Sequence, residues 1–470
     1  MFRVNCKELE KVKDDYKKIT DGMSNSYIYF NKFDFNSNLF LNITKVAGSA
    51  IKYKMNSDEN LKIFEIKESK LLSNKVFFEQ GFKMLKIKIV KNRMLKAYPQ
   101  IKLREKIYMK REQPEISLDY IKSLLMKMYD KDTIEKNFEG IKQPKREILD
   151  ENILSQLPLF AQKLKKEDKK YFISTRLLNY CELNINKKIE EEKKSFNLFG
   201  FFSSSKKTND TNKNIILENK PNSLLIHIHG GGFLESSLFP MEEYLRETSN
   251  ECKIPIIGIN YGYAPKHKYP EGLNDCFQAY MWILNHCEQE LGIKPEKILI
   301  SGDSAGGSLV LGLVLLIIAM NKFDEKKIKV PDLILGLYPI CSLNIETTTL
   351  SGCIGFDNLI LPLKDTSYMR EAYRGYYKNE LDPFLNQMKA DENLLKDFPV
   401  TRFLTATHDV LRDDAIRFAN KLSKFEGNDL KVYDFTYFDH GFMGNTNQFL
   451  SWPPHNIFFE EIKEFIKNNK

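Results

Sequence analysis

"ILISGDSAGGS", Ile298–Ser308, sets a short apolar run against a turn of Gly, Asp and Ser, then opens onto the long apolar run Leu309–Met320. Apolar run, sharp turn and helix in that order read as strand, turn and helix. Gly302 and Gly306 flank Ser304 at minus two and plus two, where a side chain would collide as strand and helix close around the turn. A bare G-x-S-x-G occurs in chance loops. Between a strand and a helix it lifts a serine hydroxyl above a sheet, beside a helix N-terminus whose dipole favours negative charge. Asp303 is expected to support that turn.

Working outward, strand-length apolar runs recur at Leu224–Ile228, Pro255–Asn260, Leu333–Leu337, Thr401–Leu404 and Val432–Phe438. Helix-like stretches lie between most of them: Met241–Cys252, Cys276–Leu291, Ser304–Met320, Thr366–Tyr377 and Asp414–Phe425, with Ile457–Ile466 as a closing helix. Such alternation predicts an α/β fold, a mostly parallel central sheet flanked by helices. Residues 221–470 form this catalytic domain. Residues 166–220 supply leading strands around Phe172–Leu177 and Tyr180–Ile185, then a flexible Lys/Ser/Asn-rich loop, 186–214. Within that loop Phe196–Phe202 reads as a hydrophobic plug or a lipid-facing lid fragment.

Residues 1–165 form an accessory region, expected to be mostly helical. Ser117–Tyr129 has helical periodicity, while Phe82–Val90 alternates like a strand or a basic amphipathic element. Lys and Arg dominate Lys83–Glu112. A solvated charged face is the plain reading of that stretch, and docking on an anionic lipid surface the sharper one.

The chain has 470 residues, 42% of them hydrophobic and 12% aromatic, enough for a large core. A formal charge of +8 is modest for this length, and no nucleic-acid-binding motif accompanies it. The first twenty residues lack the apolar centre of a secretory signal. Leu309–Met320 is too short for a bilayer span. Seven scattered cysteines without CxxC spacing suit reduced thiols. A cytoplasmic location is the expectation.

A second glycine stretch, "HIHGGGFLES" (His227–Ser236), follows the apolar run Leu224–Ile226. No Lys-Ser or Lys-Thr follows Gly232 as a phosphate loop requires, and the spacing fails the dinucleotide fingerprint, so no nucleotide cofactor is expected. His227 and His229 share one face of a strand, yet no Cys, Asp or Glu stands nearby at ligand spacing, so no metal is expected either. The glycines instead bring backbone amides close to a developing oxyanion.

A nucleophilic serine needs an acid and then a base downstream. His408, His440 and His455 are the histidines after Ser304. His440 follows a strand-like run that would deliver it to the same rim. Asp409 stands just past another such run, while Asp413 and Asp414 suit the first turn of the next helix. The resulting constellation is Ser304 as nucleophile, His440 as base and Asp409 as its orienting acid. Gly231, Gly232 and Ala305 are the amides that would hold the oxyanion.

These residues resemble the hormone-sensitive lipase family of α/β-hydrolases. The carriers are His229-Gly230-Gly231-Gly232-Phe233, Asn260–Pro265, Tyr269-Pro270 with Asp275-Cys276, Gly302–Gly307, Asp409–Asp414 and His440-Gly441-Phe442, in order across residues 222–470. Phe277–Tyr280, Trp282, His286-Cys287 and Asp382–Phe384 fit the lipase that gives the family its name better than its smaller microbial esterases. The resemblance implies hydrolysis of carboxylic esters of neutral lipids, that is acylglycerols and sterol esters, without a cofactor. By the same analogy residues 1–165 would be an accessory lipid- or partner-binding part that also helps cover the active site, with peripheral contact with a lipid-droplet or membrane surface. The animal enzymes carry a long regulatory insert before the acid, whereas Tyr376–Asp382 offers only a few residues. The rival readings are a general short-chain carboxylesterase or deacetylase, and a non-catalytic ligand receptor on the same fold, which would typically lose a member of the constellation.

Overall fold

The computed structural model describes residues 62–66, 100–141, 149–181, 183, 221–234, 238, 241–343, 349–355, 358, 360–375, 377, 379–436, 438–444 and 453–468. The chain divides into two compact units, Met1–Ile51 and Lys52–Lys470, and every described residue belongs to the second. Phe82–Val90 and Phe196–Phe202 lie outside the described residues.

The strands are β1 (Lys62–Ile66), β2 (Leu103–Lys110), β3 (Phe160–Ala161), β4 (Phe172–Asn179) and β5 (Ser223–Ile228). After them come β6 (Ile256–Asn260), β7 (Lys297–Asp303), β8 (Leu333–Leu337), β9 (Val400–Ala406) and β10 (Leu430–Phe435). They make one sheet in the order β1-β10-β9-β8-β7-β5-β6-β4-β2-β3. From β1 to β6 all neighbours are parallel. β4, β2 and β3 are added antiparallel.

The helices before β5 are α1 (Leu118–Met128), α2 (Lys131–Phe138) and α3 (Glu151–Gln156). Later come α4 (Glu242–Cys252), α5 (Glu271–Leu291), α6 (Ala305–Phe323), α7 (Leu350–Ile354) and α8 (Leu363–Arg374). The last three are α9 (Glu392–Leu395), α10 (Arg412–Leu422) and α11 (Pro453–Asn468).

The period of two along each strand sorts the helices between the faces. In β9, Leu404 and Ala406 join the core shared with Leu245 of α4 and Phe458 of α11. Phe403 points the other way, its ring 6.3 Å from Phe418 of α10. α6 lies on that second face, buried all round from Ala305 to Met320. The helix is apolar enough for a bilayer, but 83% of its most apolar window is buried inside the protein, as for a core helix.

The central strands β5, β7 and β8 are buried on both faces, which is why they read as mostly apolar runs without a polar alternation. β2 differs. Its Leu103, Ile107 and Met109 face inward while Arg104 and Lys106 face out, so part of the charged stretch Lys83–Glu112 is an edge-side strand of the sheet. The six described cysteines are free thiols. The chain leaves β5 for β6 on one side and returns to β7 on the other. This reversal opens a crevice above the carboxyl ends of β5 and β7, where open α/β sheets bind ligands.

Candidate active site

Both glycine-bearing turns end at that crevice. β7 feeds directly into Ser304, whose backbone sits at φ 56°, ψ −120°. A non-glycine residue held there costs about 1–3 kcal/mol, and such strain clusters at functional sites. The turn closes tightly: a Cβ on Gly302 would lie 2.5 Å from the Gly306 carbonyl oxygen, and one on Gly306 would lie 2.1 Å from that of Ile228. The Ser304 N–H donates to the Leu337 carbonyl (2.9 Å), and the Ile340 N–H donates to that of Ser304 (3.3 Å).

His440 and Asp409 arrive from the ends of β10 and β9. His440 Nε2 lies 2.9 Å from Ser304 Oγ, and its Nδ1 lies 2.8 Å from Asp409 Oδ2. Asp409 is 1% exposed. Its other oxygen accepts the Leu411 N–H at 2.8 Å, which fixes the carboxylate. With Nδ1–H donated to the carboxylate, Nε2 is left to accept the serine proton. The other two downstream histidines go elsewhere. His455 lies on α11, with Nε2 2.9 Å from the Met443 carbonyl. His408 is half-buried, and its desolvation lowers its pKa to about 4.

The glycine run packs directly on the serine turn. The Gly230 N–H donates to Asp303 Oδ1 at 2.8 Å. A Cβ on Gly230 would come within 3.1 Å of Ser304 Cβ. Asp303 therefore ties two loops together as well as serving its own turn, and His227 Nε2 stands 3.3 Å from the same oxygen. Gly231, Gly232 and Phe233 have φ of 108°, 61° and 65°, a left-handed turn that curls the run over the site. Ala305 is the first residue of α6, so its N–H has no carbonyl to bond within the helix.

His229 holds the run from behind. Its Nδ1 is 2.7 Å from the Gly230 carbonyl and its Nε2 3.2 Å from the Tyr263 hydroxyl, with the ring stacked on Tyr261 at 4.7 Å. Burial lowers its pKa to about 4, so it stays neutral behind the glycine turn. Both His227 and His229 thus have protein partners, and the described residues contain no group of three or more potential ligands arranged for a metal.

Three neighbours carry no motif of their own. Asn358 donates through Nδ2 to the His408 carbonyl (3.0 Å) and to Asp439 Oδ1 (3.1 Å), joining the acid and histidine loops. Burial raises Asp439 to about 6. Met369 of α8 fills the space beside Gly232, where a Cβ would lie 2.2 Å from its Sδ. One turn on, Tyr373 stacks on Phe233 at 4.0 Å. A single loop asparagine has no pattern to betray it. The Met369–Tyr373 spacing of four does mark a helix face, although not what the face covers.

Residues 225–444 match the family described as having the alpha/beta hydrolase fold. Over 153 residues, the chain is 36% identical to the hormone-sensitive lipase of Mus musculus, a stretch that is 33% of this chain and 19% of that protein. The chain therefore matches under a fifth of that lipase's length. An esterase of Acinetobacter venetianus is 27% identical over 231 residues, 49% of this chain and 70% of the esterase. Among solved structures, an esterase of Pyrobaculum calidifontis aligns with a TM-score of 0.50 at 20% identity, over 63% of this chain and 83% of that one. A fungal esterase of Rhizomucor miehei gives 0.50 at 21%, over 63% and 78%. These two likenesses establish the fold.

Proposed function

We propose that this chain, a hormone-sensitive-lipase-like α/β-hydrolase, hydrolyses carboxylic esters of neutral lipids through an acyl-enzyme. The observation that carries the chemistry is the continuous hydrogen-bonded line from Ser304 through His440 to Asp409. His440 Nε2 takes the Ser304 proton as Oγ attacks the ester carbonyl. The carbonyl oxygen becomes an anion and is held by the amides of Gly231, Gly232 and Ala305. The imidazolium, steadied by Asp409, gives its proton to the leaving alcohol. Water then repeats the attack on the acyl-serine with His440 again as base, releasing the acid and free Ser304. Each oxyanion donor is worth about 10²–10³ in rate.

Di- and triacylglycerols and sterol esters are the proposed substrates, met in the cytoplasm at a lipid-droplet or membrane surface. The likeness to hormone-sensitive lipases supports this finer reading. The broader coverage of a bacterial esterase supports a second one, short soluble esters. A fluorophosphonate probe followed by a panel of short p-nitrophenyl esters, emulsified diacylglycerol and sterol ester separates them. We expect labelling at Ser304 and turnover of the emulsions. In Ser304→Ala, labelling should vanish and turnover should fall by about 10⁴ or more. Activity confined to short soluble esters would leave the esterase reading. Unchanged turnover in the alanine variant would sink the mechanism.

A further inference from the structure

We propose that Tyr338 is a positioning residue that holds the His440 imidazole in plane with Ser304, an inference that rests on the ester-hydrolase reading of the site. Tyr338 follows the last residue of β8 and is 1% exposed. Its φ is 40°. For a bulky aromatic residue this is an outlier that the surroundings must enforce. The enforcement is visible: the Tyr338 N–H donates to the Leu404 carbonyl at 2.7 Å, continuing the pairing of β8 with β9. The turned backbone packs the ring against both His440 and Phe442. Its centroid is 4.8 Å from each, at 67° and 69°.

The same short segment also grips the nucleophile, since Leu337 accepts the Ser304 N–H and Ile340 donates to the Ser304 carbonyl. One stretch of four residues thus fixes the serine backbone at both ends and braces the base beside it.

The two hydrogen bonds of His440 cannot do this alone. Asp409 and Ser304 hold Nδ1 and Nε2 at opposite ends of the ring, which leaves the imidazole free to pivot about the line joining them. A tilt about that line leaves the nitrogens in place but turns the Nε2 lone pair off the Ser304 O–H that it must deprotonate. The Tyr338 ring blocks it by edge-to-face contact, and the same ring is itself packed on Phe442. The contact with His440 is made by the ring, so the hydroxyl is dispensable to the role. A misplacement of about 1 Å in a reacting group can cost about 100-fold.

The test compares Tyr338→Phe, which keeps the ring, with Tyr338→Leu, which keeps apolar bulk without it. Kinetics on a soluble ester, the pH profile of kcat/KM, the rate of fluorophosphonate labelling and the thermal midpoint are measured for each. We expect Tyr338→Phe to keep kcat within about 3-fold. Tyr338→Leu should lose about 10- to 100-fold in kcat and labelling rate, with KM little changed and the acid limb of the pH profile displaced. Tyr338→Met replaces the leucine variant if that fails to fold, with the same expectations. The proposal is overturned if the leucine or methionine variant stays within 3-fold, if phenylalanine loses as much, or if KM carries the loss. Failure of the underlying reading looks different: the wild type would then be inert toward every ester and the probe, and both would fall together.

Discussion

A methyl group on Gly230 would sit 2.4 Å from Asp303 Oδ2 and 2.8 Å from the Asp303 carbonyl oxygen. The carbonyl belongs to the strained serine turn and cannot retreat cheaply, so the glycine run itself must lift. That lift would carry the Gly231 and Gly232 amides away from the oxyanion while leaving Ser304, His440 and Asp409 where they are. Gly230→Ala should therefore lower kcat on the order of 10²–10³-fold, the value of one lost donor. The labelling site should still be Ser304. A variant with wild-type kcat would show that the run contributes no amides to the reaction. The two glycines around the nucleophile face a different limit. A methyl on Gly306 would meet the Ile228 carbonyl at 2.1 Å, which sets strand against helix and threatens the fold before the chemistry.

α8 is the element that binds the two loops of the site from above. Met369 and Tyr373 press on Gly232 and Phe233, while Arg370 turns to Asp414 of α10, NH2 to Oδ2 at 3.3 Å, with both side chains buried. Burial raises Asp414 to about 6, and Arg370 pulls it down from where burial alone would put it. A carboxyl whose folded pKa lies above its unfolded value near 3.8 contributes stability below about pH 4 and loses it as pH rises through 6. Above that pH the ionised group depends on its arginine. Arg370→Ala should cost about 3 kcal/mol at pH 8, as for a broken buried pair, and clearly less at pH 5, where Asp414 can take a proton. Denaturant titration at both pH values measures the gap, and an equal loss at each would contradict the coupling. α8 also shows where sequence reading stops. Its helical period is legible, but its partners are set by tertiary packing. The central strands β5, β7 and β8 are legible because burial on both faces keeps each one mostly apolar, with only a few polar residues such as His227 and Ser301. β2 is obscured because Arg104, Glu105 and Lys106 in succession leave its apolar residues scattered among charges. Ser304, Asp409 and His440 could be singled out because each follows a strand-like run and is a residue type that acyl transfer requires; Asn358 follows no such run, and Tyr338 follows β8 but its reversed φ leaves no mark in the sequence.

At the scale of the molecule, the antiparallel strands β2 and β4 extend the parallel sheet, and the connection after β2 is clasped by one helix. Residues Asn274, Gln278, Trp282 and His286 repeat every four positions along α5, a single stripe facing that connection. Asn274 Oδ1 accepts the Ile116 N–H at 2.7 Å, Gln278 accepts the Glu112 N–H and donates to the Pro114 carbonyl at 2.8 Å, and Trp282 donates to the Leu159 carbonyl at 2.8 Å. His286 closes the row, 2.7 Å from Glu112 Oε1. Asp275, one step off the stripe, pairs with Arg111 at 2.7 Å and accepts the Gly262 N–H at 2.8 Å, linking the same connection to the loop after β6. Asn274 and Gln278 are fully buried, so replacing them leaves main-chain amides stranded away from water. Each stranded group costs about 1–3 kcal/mol. Asn274→Leu with Gln278→Leu should therefore lower the unfolding free energy by roughly 2–6 kcal/mol. Hydrogen exchange at the Ile116 and Glu112 amides should accelerate well ahead of exchange in β5 and β7, because the clasp opens without the parallel core. Below the lowered midpoint, fluorophosphonate labelling of Ser304 should persist, since the crevice between β5 and β7 does not depend on that connection for its own hydrogen bonds. Protection lost equally in β5 and β7 would instead mean that the antiparallel extension and the parallel sheet unfold as one cooperative unit.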